Sequence, residues 1–383
     1  MTQIVKIDDI SKQDLLEFIS ETPIAIPTES VYGLAAPLSS LSSISKIFTI
    51  KNRPSSNPLI IHISDLFQLK TLVRSIPKIY KILIKKFWPG PLTLLFERTL
   101  DEETLQKYEY LRENDIIGIR MPSNEIALKI IDCVGPVCAP SSNLSGKPST
   151  TQAEHVMNDL KGRINYIIDG GSSVYGLEST IFNGYGEEKI LRQGCIPEKE
   201  ILKEIREKSN EILDIKENEA KLKLILNLGI LETIPESEIS SKINMPVCPG
   251  TKFKHYSPGC DFELFDEDSG LKSLLADRLR LKRIHTIGIL CENDYNPTFL
   301  EKEFGLKIFE VKNESENINT EINSGSSVYI LRLGDTNREI AHNLFSGMRL
   351  LDKFCSNIYC KTVVEESEGF AIMDRINRAA EKK

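Results

Sequence analysis

The sequence predicts an α/β protein in two parts: a larger mixed sheet, then a smaller one with mostly parallel strands. Over the first two hundred residues, short apolar runs alternate with stretches whose apolar residues recur every three or four positions. After Gly259 the same alternation starts afresh. Between them, from about Lys203 to Asn244, lies a charged stretch typical of a connector. At 383 residues, with 40% hydrophobic and 27% charged side chains, the chain can fill two cores.

Pro23–Pro27 reads as a short strand. Ser43–Asn52 reads as a helix, because Ile44, Ile47 and Phe48 share a face and Pro54 limits its extension. Leu59–Ile63 is a buried strand, and Ile76–Phe87 an amphipathic helix ended by Trp88-Pro89-Gly90-Pro91. Strands are expected at Leu92–Phe96, Ile116–Arg120, Pro136–Ala139, Tyr166–Asp169, Ser179–Phe182 and Lys189–Arg192. Helices fill Asn124–Val134 and Thr151–Leu160, the latter expected to be capped by the hydroxyls of Ser149, Thr150 and Thr151.

The expected boundaries are 1–205 for the first domain, 206–259 for a linker and 260–383 for the second domain. Within the linker, Pro246–Pro258 is too rich in proline to be helical, yet it carries Lys252, His255 and Tyr256. The second domain reads as Rossmann-like. Its expected strands are Phe262–Phe265, Thr286–Leu290, Ile308–Val311 and Val328–Leu331, and its helices Leu271–Leu281, Asn337–Phe354 and Ala371–Glu381. It has no glycine fingerprint, so no nucleotide is assigned to it.

A net charge of −7 argues against a protein that grips nucleic acid by its phosphates. Eight cysteines without a C-x-x-C pair, behind a polar N-terminus, read as reduced thiols of a cytoplasmic protein. Neither the cysteines nor the five histidines cluster at zinc-ligand spacing, and no metal site made of side chains is assigned. No apolar run approaches the roughly 20 residues of a membrane span.

The chemistry-bearing residues gather near strand ends. Lys51 and Arg53 are two permanent cations beside Pro54; Pro140–Gly146 is a run of short hydroxyl and amide groups that includes Ser141, Asn143 and Ser145. Together they offer point charge, a guanidinium fork and hydrogen-bond donors to a phosphate-rich ligand, although no P-loop is present. An isolated K-x-R is more often a solvated helix end. Nearby His62, usually structural in such a strand, can line the same pocket. In Thr28–Leu34, Ser30 and Tyr32 can bond a polar ligand, and Gly33 permits close backbone approach; an ordinary turn is nearly as good a reading. Arg120 closes an apolar strand and either snorkels or holds a carboxylate. Ser179 leads into a strand, and Arg192 ends one. Such a cationic, hydroxyl-rich set favours orienting anions, with catalysis by proximity and charge stabilisation and no covalent enzyme intermediate.

These residues occur in an ordered series: PTESVYGL at 27–34, KNRPSSNPLIIHI at 51–63, WPGPLTL at 88–94, GIRMP at 118–122, APSSNLSG at 139–146, GLESTI at 176–181, LRQG at 191–194, CPGTKFKHYSP at 248–258 and INRAAEK at 376–382. The series resembles the YrdC-type threonylcarbamoyl-adenylate synthases in their long, two-domain form. That resemblance implies a twisted mixed sheet with a concave basic pocket, followed by a Rossmann-like domain. It implies a nucleotidyltransferase that uses ATP, L-threonine and bicarbonate, normally with Mg²⁺, to make threonylcarbamoyl-AMP and pyrophosphate. A downstream transferase would then modify tRNA. Stable nucleic-acid binding and membrane association are not expected.

By the same resemblance, Lys51, Arg53, Ser141 and Asn143 hold the nucleotide, with Lys51 and Arg53 as the catalytic cations. Asn57, Ser145 and Arg192 also line the ATP site. Ser30, His62, Arg120 and Ser179 hold threonine, Arg120 on its carboxylate, and Lys252, His255 and Tyr256 belong to a loop that covers the site. Ser30, Ser142, Cys248, Thr251 and Phe253 depart from residues common in the family. Two other readings are an RNA-binding module, disfavoured by net charge and the lack of interleaved aromatic and basic residues, and a carbamoyltransferase accessory, which would bring further domains.

Overall fold

The computed structural model describes residues 1–113, 115–185, 189–213, 255–280, 286–311 and 327–381. The segment 246–254, with Lys252, lies outside them, as does all of the charged stretch beyond Leu213. The chain divides into two compact units. One holds Met1–Leu144, Gln152–Ser173 and Glu178–Lys252; the other holds Ser145–Thr151, Val174–Leu177 and Phe253–Lys383.

The first unit is built on a ten-stranded mixed sheet. In chain order its strands are β1 (Gln3–Val5), β2 (Ile24–Ile26), β3 (Gly33–Pro37), β4 (Ile60–His62), β5 (Leu92–Glu97), β6 (Ile116–Arg120), β7 (Val137–Cys138), β8 (Tyr166–Ile168), β9 (Thr180–Asn183) and β10 (Lys189–Arg192). They lie side by side as β1-β8-β2-β3-β7-β4-β6-β5-β9-β10. β4 and β6 are parallel, whereas β7 runs antiparallel to β3 and β4.

Helices α1 (Lys12–Glu21), α2 (Leu41–Lys51), α3 (Leu66–Leu72), α4 (Lys78–Phe87), α5 (Glu102–Lys107), α6 (Glu125–Val134), α7 (Ala153–Leu160) and α8 (Glu198–Leu213) complete the unit. α2 starts at Ser40, whose side chain accepts from the Ser43 amide, and it buries Ile44, Ile47 and Lys51. α4 buries Ile79, Tyr80, Leu83 and Ile84 against the same core, where each large apolar side chain contributes about 1.5–3 kcal/mol.

The expected hydroxyl cap of α7 is not used. Gln152 is the N-cap and makes no side-chain cap bond, while Ser149, Thr150 and Thr151 are buried in the preceding loop. Strands β1 and β3 and helices α1, α3 and α5 were not anticipated. β3 reads GLAAP, a composition poor in β-branched residues, yet all five residues are buried. Its place in the sheet comes from its neighbours, not from local propensity.

The second unit carries a five-stranded parallel sheet of β11 (Asp261–Phe265), β12 (Thr286–Cys291), β13 (Lys307–Val311), β14 (Ser327–Arg332) and β15 (Asn357–Lys361), ordered β11-β15-β12-β14-β13. Its helices are α9 (Asp268–Arg280), α10 (Phe299–Phe304), α11 (Asn337–Leu351) and α12 (Gly369–Ala380). Thr336 and Glu339 form a reciprocal capping box at the start of α11. β15 and α10 were missed by the sequence reading, and β15 lies between β11 and β12.

Candidate active site

α2 delivers Lys51 as its last residue. Asn52 then takes left-handed backbone, φ 53°, and its amide bonds back to Phe48 and Thr49. Lys51 is 1% exposed, and its Nζ donates to the carbonyl oxygens of Ser141 and Asn143. The cation of one motif thus holds the backbone of the other.

That backbone is also pinned from the opposite side. The Leu34 amide donates to Pro140 O at 2.7 Å, and the Ser142 amide to Tyr32 O at 2.9 Å. Gly33 pairs with Ser141, and a Cβ on Gly33 would lie 3.2 Å from Ala139 Cβ. A side chain at Gly33 would press on the residue that follows β7, which would have to give by a few tenths of an ångström. The Asn143 side chain donates through Nδ2 to Leu144 O at 2.8 Å.

Arg53 organises its own loop. Nε donates to Asn57 O at 3.1 Å and Nη2 to Pro58 O at 2.7 Å. Asn57 is 2% exposed, and among the described residues its Oδ1 has no hydrogen-bond partner. A buried acceptor in that state is costly until a donor arrives.

A second group surrounds Arg120. Its guanidinium donates to Gly90 O at 3.2 Å, Ser30 Oγ at 2.8 Å and Glu29 Oε1 at 2.6 Å. Arg120 and Glu29 form an ion pair, each side chain 4% exposed. Thr28 fixes the loop that presents Ser30 and Glu29: its hydroxyl donates to Val31 O at 2.5 Å and accepts from the Ser30 and Val31 amides. His62 on β4 stands in register with Arg120 on β6. Burial, helped by the Arg120 charge, pushes the His62 pKa down to about 3. The ring is neutral at pH 7. Nδ1 lies 3.2 Å from Ile60 O, which only accepts, so Nδ1 carries the proton and Nε2 is an acceptor.

The third group centres on Ser179. Arg192 donates to Ser179 O at 2.8 Å and to Ser179 Oγ at 3.1 Å, and Thr93 Oγ1 lies 2.8 Å from the same hydroxyl. Gly194 makes this crossing possible: a Cβ there would meet Glu178 O at 2.4 Å and the Thr180 amide at 2.5 Å. The segment Gly90-Pro91 joins the second and third groups, since Gly90 O accepts from Arg120 and Pro91 O from the Thr180 amide.

The first unit therefore holds Ser30, Lys51, Arg53, Asn57, His62, Arg120, Ser141, Asn143, Ser179 and Arg192. Ser145, His255 and Tyr256 belong to the second unit. There Tyr256, in left-handed backbone at φ 65°, stacks on Phe345 with ring centroids 5.4 Å apart and lies under the Arg375 guanidinium. The sequence reading missed Glu29, Thr93 and Gly90. Glu29 sits inside the motif that named Ser30, but a glutamate in a turn reads as solvated unless its burial is known.

An α/β chain whose larger sheet carries buried arginines beside hydroxyls at its strand ends is of a class suited to anionic ligands. Comparison with known proteins identifies the family. Residues 18–194 match the family described as Telomere recombination, which groups the Sua5, YciO and YrdC proteins. Residues 214–381 match the family described as Threonylcarbamoyl-AMP synthase, C-terminal domain. The threonylcarbamoyl-AMP synthase of Schizosaccharomyces pombe is 33% identical over 94% of this chain and 85% of its own length. That of Pyrococcus abyssi is 33% identical over 93% and 90%. The crystal structure of P. abyssi Sua5 complexed with L-threonine superimposes with a TM-score of 0.72 at 30% identity, covering 99% of this chain and 98% of that one. The chain belongs to the threonylcarbamoyl-AMP synthase family, in its two-domain form.

Proposed function

We propose that this chain is a nucleotidyltransferase that condenses L-threonine, bicarbonate and ATP into threonylcarbamoyl-AMP and pyrophosphate. The observation that best supports the division of labour is the hydrogen-bond series running from Ser30 through Arg120, Gly90-Pro91 and Thr180 to Ser179 and Arg192. It ties one guanidinium suited to a carboxylate to another beside a hydroxyl pair, on one rigid sheet.

In this reading Lys51, Arg53, Asn57, Ser141, Asn143, Ser145 and Arg192 serve ATP. Ser30, His62, Arg120 and Ser179 serve threonine. The neutral threonine amine takes up the carbon of bicarbonate, losing water overall, to give a carbamate. A carbamate oxygen then attacks the α-phosphorus, and pyrophosphate leaves. Lys51 and Arg53 stabilise the charge that develops on the phosphates. His62, held neutral, orients substrate through Nε2.

Among the described residues no three His, Cys, Asp or Glu side chains converge to hold a metal. Mg²⁺ would enter as part of the nucleotide substrate, carried on its phosphates. The domain boundaries near 205 and 259, the role of Lys252, His255 and Tyr256 in covering the site, cytoplasmic residence and hand-off of the product to a transferase belong to the same proposal. No described helix is long and apolar enough to cross a membrane.

Incubation of the protein with ATP, bicarbonate and labelled threonine should yield threonylcarbamoyl-AMP by mass spectrometry and one pyrophosphate per product. Well-folded protein that forms neither, and binds RNA tightly instead, would sink this reading.

A further inference from the structure

We infer that Glu29 recognises the substrate's amino group, its Oε2 accepting a hydrogen bond from the nitrogen. The inference rests on the proposed reading of Arg120 as the anchor for the threonine carboxylate.

Three observations carry it. First, Glu29 is 3% exposed, and only one of its carboxylate oxygens is occupied: Oε1 meets Arg120 at 2.6 Å, while buried Oε2 has no partner among the described residues. A buried carboxylate oxygen left in that state is strongly unfavourable, and an N–H donor relieves it.

Second, the local charges match an amino acid. His62 is neutral, so the group around Arg120 carries one positive and one negative charge. A free amino acid at neutral pH is a zwitterion with the same two charges. If Arg120 stood there without Glu29, the bound ammonium would face a guanidinium and a neutral ring. With Glu29 beside it, each end of the ligand meets an opposite charge.

Third, Glu29 is held before any ligand arrives. The Thr28 hydroxyl locks the turn through Val31 O and the Ser30 and Val31 amides, and Ser30 Oγ shares the same guanidinium. A preformed acceptor loses little entropy on binding. It also stays useful along the reaction, because both the ammonium and the later carbamate nitrogen carry an N–H to donate.

Selectivity for amines follows. The intact chain should bind L-threonine about tenfold or more tightly than 3-hydroxybutanoate, which lacks the amino group, when measured by calorimetry. Glu29→Gln should weaken threonine binding by about tenfold or more and leave 3-hydroxybutanoate within about threefold, so that the preference collapses. Glu29→Asp, which keeps the charge, should retain part of it; this variant is decisive if Glu29→Gln does not fold. Equal weakening of both ligands, or unchanged threonine binding, overturns the inference. A wild-type chain that binds no threonine overturns the threonine reading itself, and that result is distinguishable because it precedes any substitution.

Discussion

Lys51 Nζ donates to the carbonyl oxygen of Asn143, and the two residues belong to motifs ninety-two positions apart. Their partnership makes the lysine a structural cation as well as a phosphate ligand in the proposed reaction. Lys51→Ala leaves the carbonyls of Ser141 and Asn143 without this donor in a buried place. It should destabilise the protein by about 2–4 kcal/mol in urea unfolding and remove turnover. Lost turnover at unchanged stability would mean that the loop does not depend on Lys51.

Arg120→Lys keeps the charge but not the fork that reaches Gly90, Ser30 and Glu29 at once. The apparent KM for threonine should rise by about tenfold or more, with a much smaller change for ATP. Steady-state pyrophosphate release checks this, and equal changes in both KM values would contradict it.

The depressed His62 pKa makes stability depend on pH. In the unfolded chain His62 takes a proton near its ordinary value of 6.5, whereas in the folded chain it resists until about pH 3. Between those values the unfolded state binds more protons, so stability falls as pH falls. From pH 7 to 5 this site should remove at most roughly 2 kcal/mol. His62→Asn should flatten that part of the urea-derived stability profile; an unchanged slope would mean that other groups set it.

Gly194→Ala forces a methyl group into the backbone of Glu178–Thr180. Arg192 would lose its seat on Ser179. Nucleotide affinity should fall by about tenfold, and stability by about 1–3 kcal/mol. Retention of both at wild-type values would show that the crossing tolerates a Cβ.

Much of the sheet was legible because its strands carry runs such as LIIHI and IIGIR, whose burial needs no partner to be inferred. β3 was not, since Gly33–Pro37 resembles a turn and becomes a strand only between β2 and β7. β15 escaped for a related reason: Asn357 and Lys361 frame it with polar residues, although its first four positions are buried. Among site residues, arginines ending apolar strands announced themselves. Glu29 did not, because its role depends on pairing with Arg120, ninety-one positions away. Lys51 was noticed for its charge, but its bonds to the loop at Ser141–Asn143 are a tertiary fact that spacing does not encode.

Calorimetric titration of Arg53→Ala and Arg120→Lys, each with ATP and with L-threonine, tests the two-ligand site most directly. Arg53→Ala should lose nucleotide binding and keep threonine binding, while Arg120→Lys should do the reverse. Loss of both ligands in both variants, or of neither in either, would contradict the assignment of these two cations to separate halves of one active site.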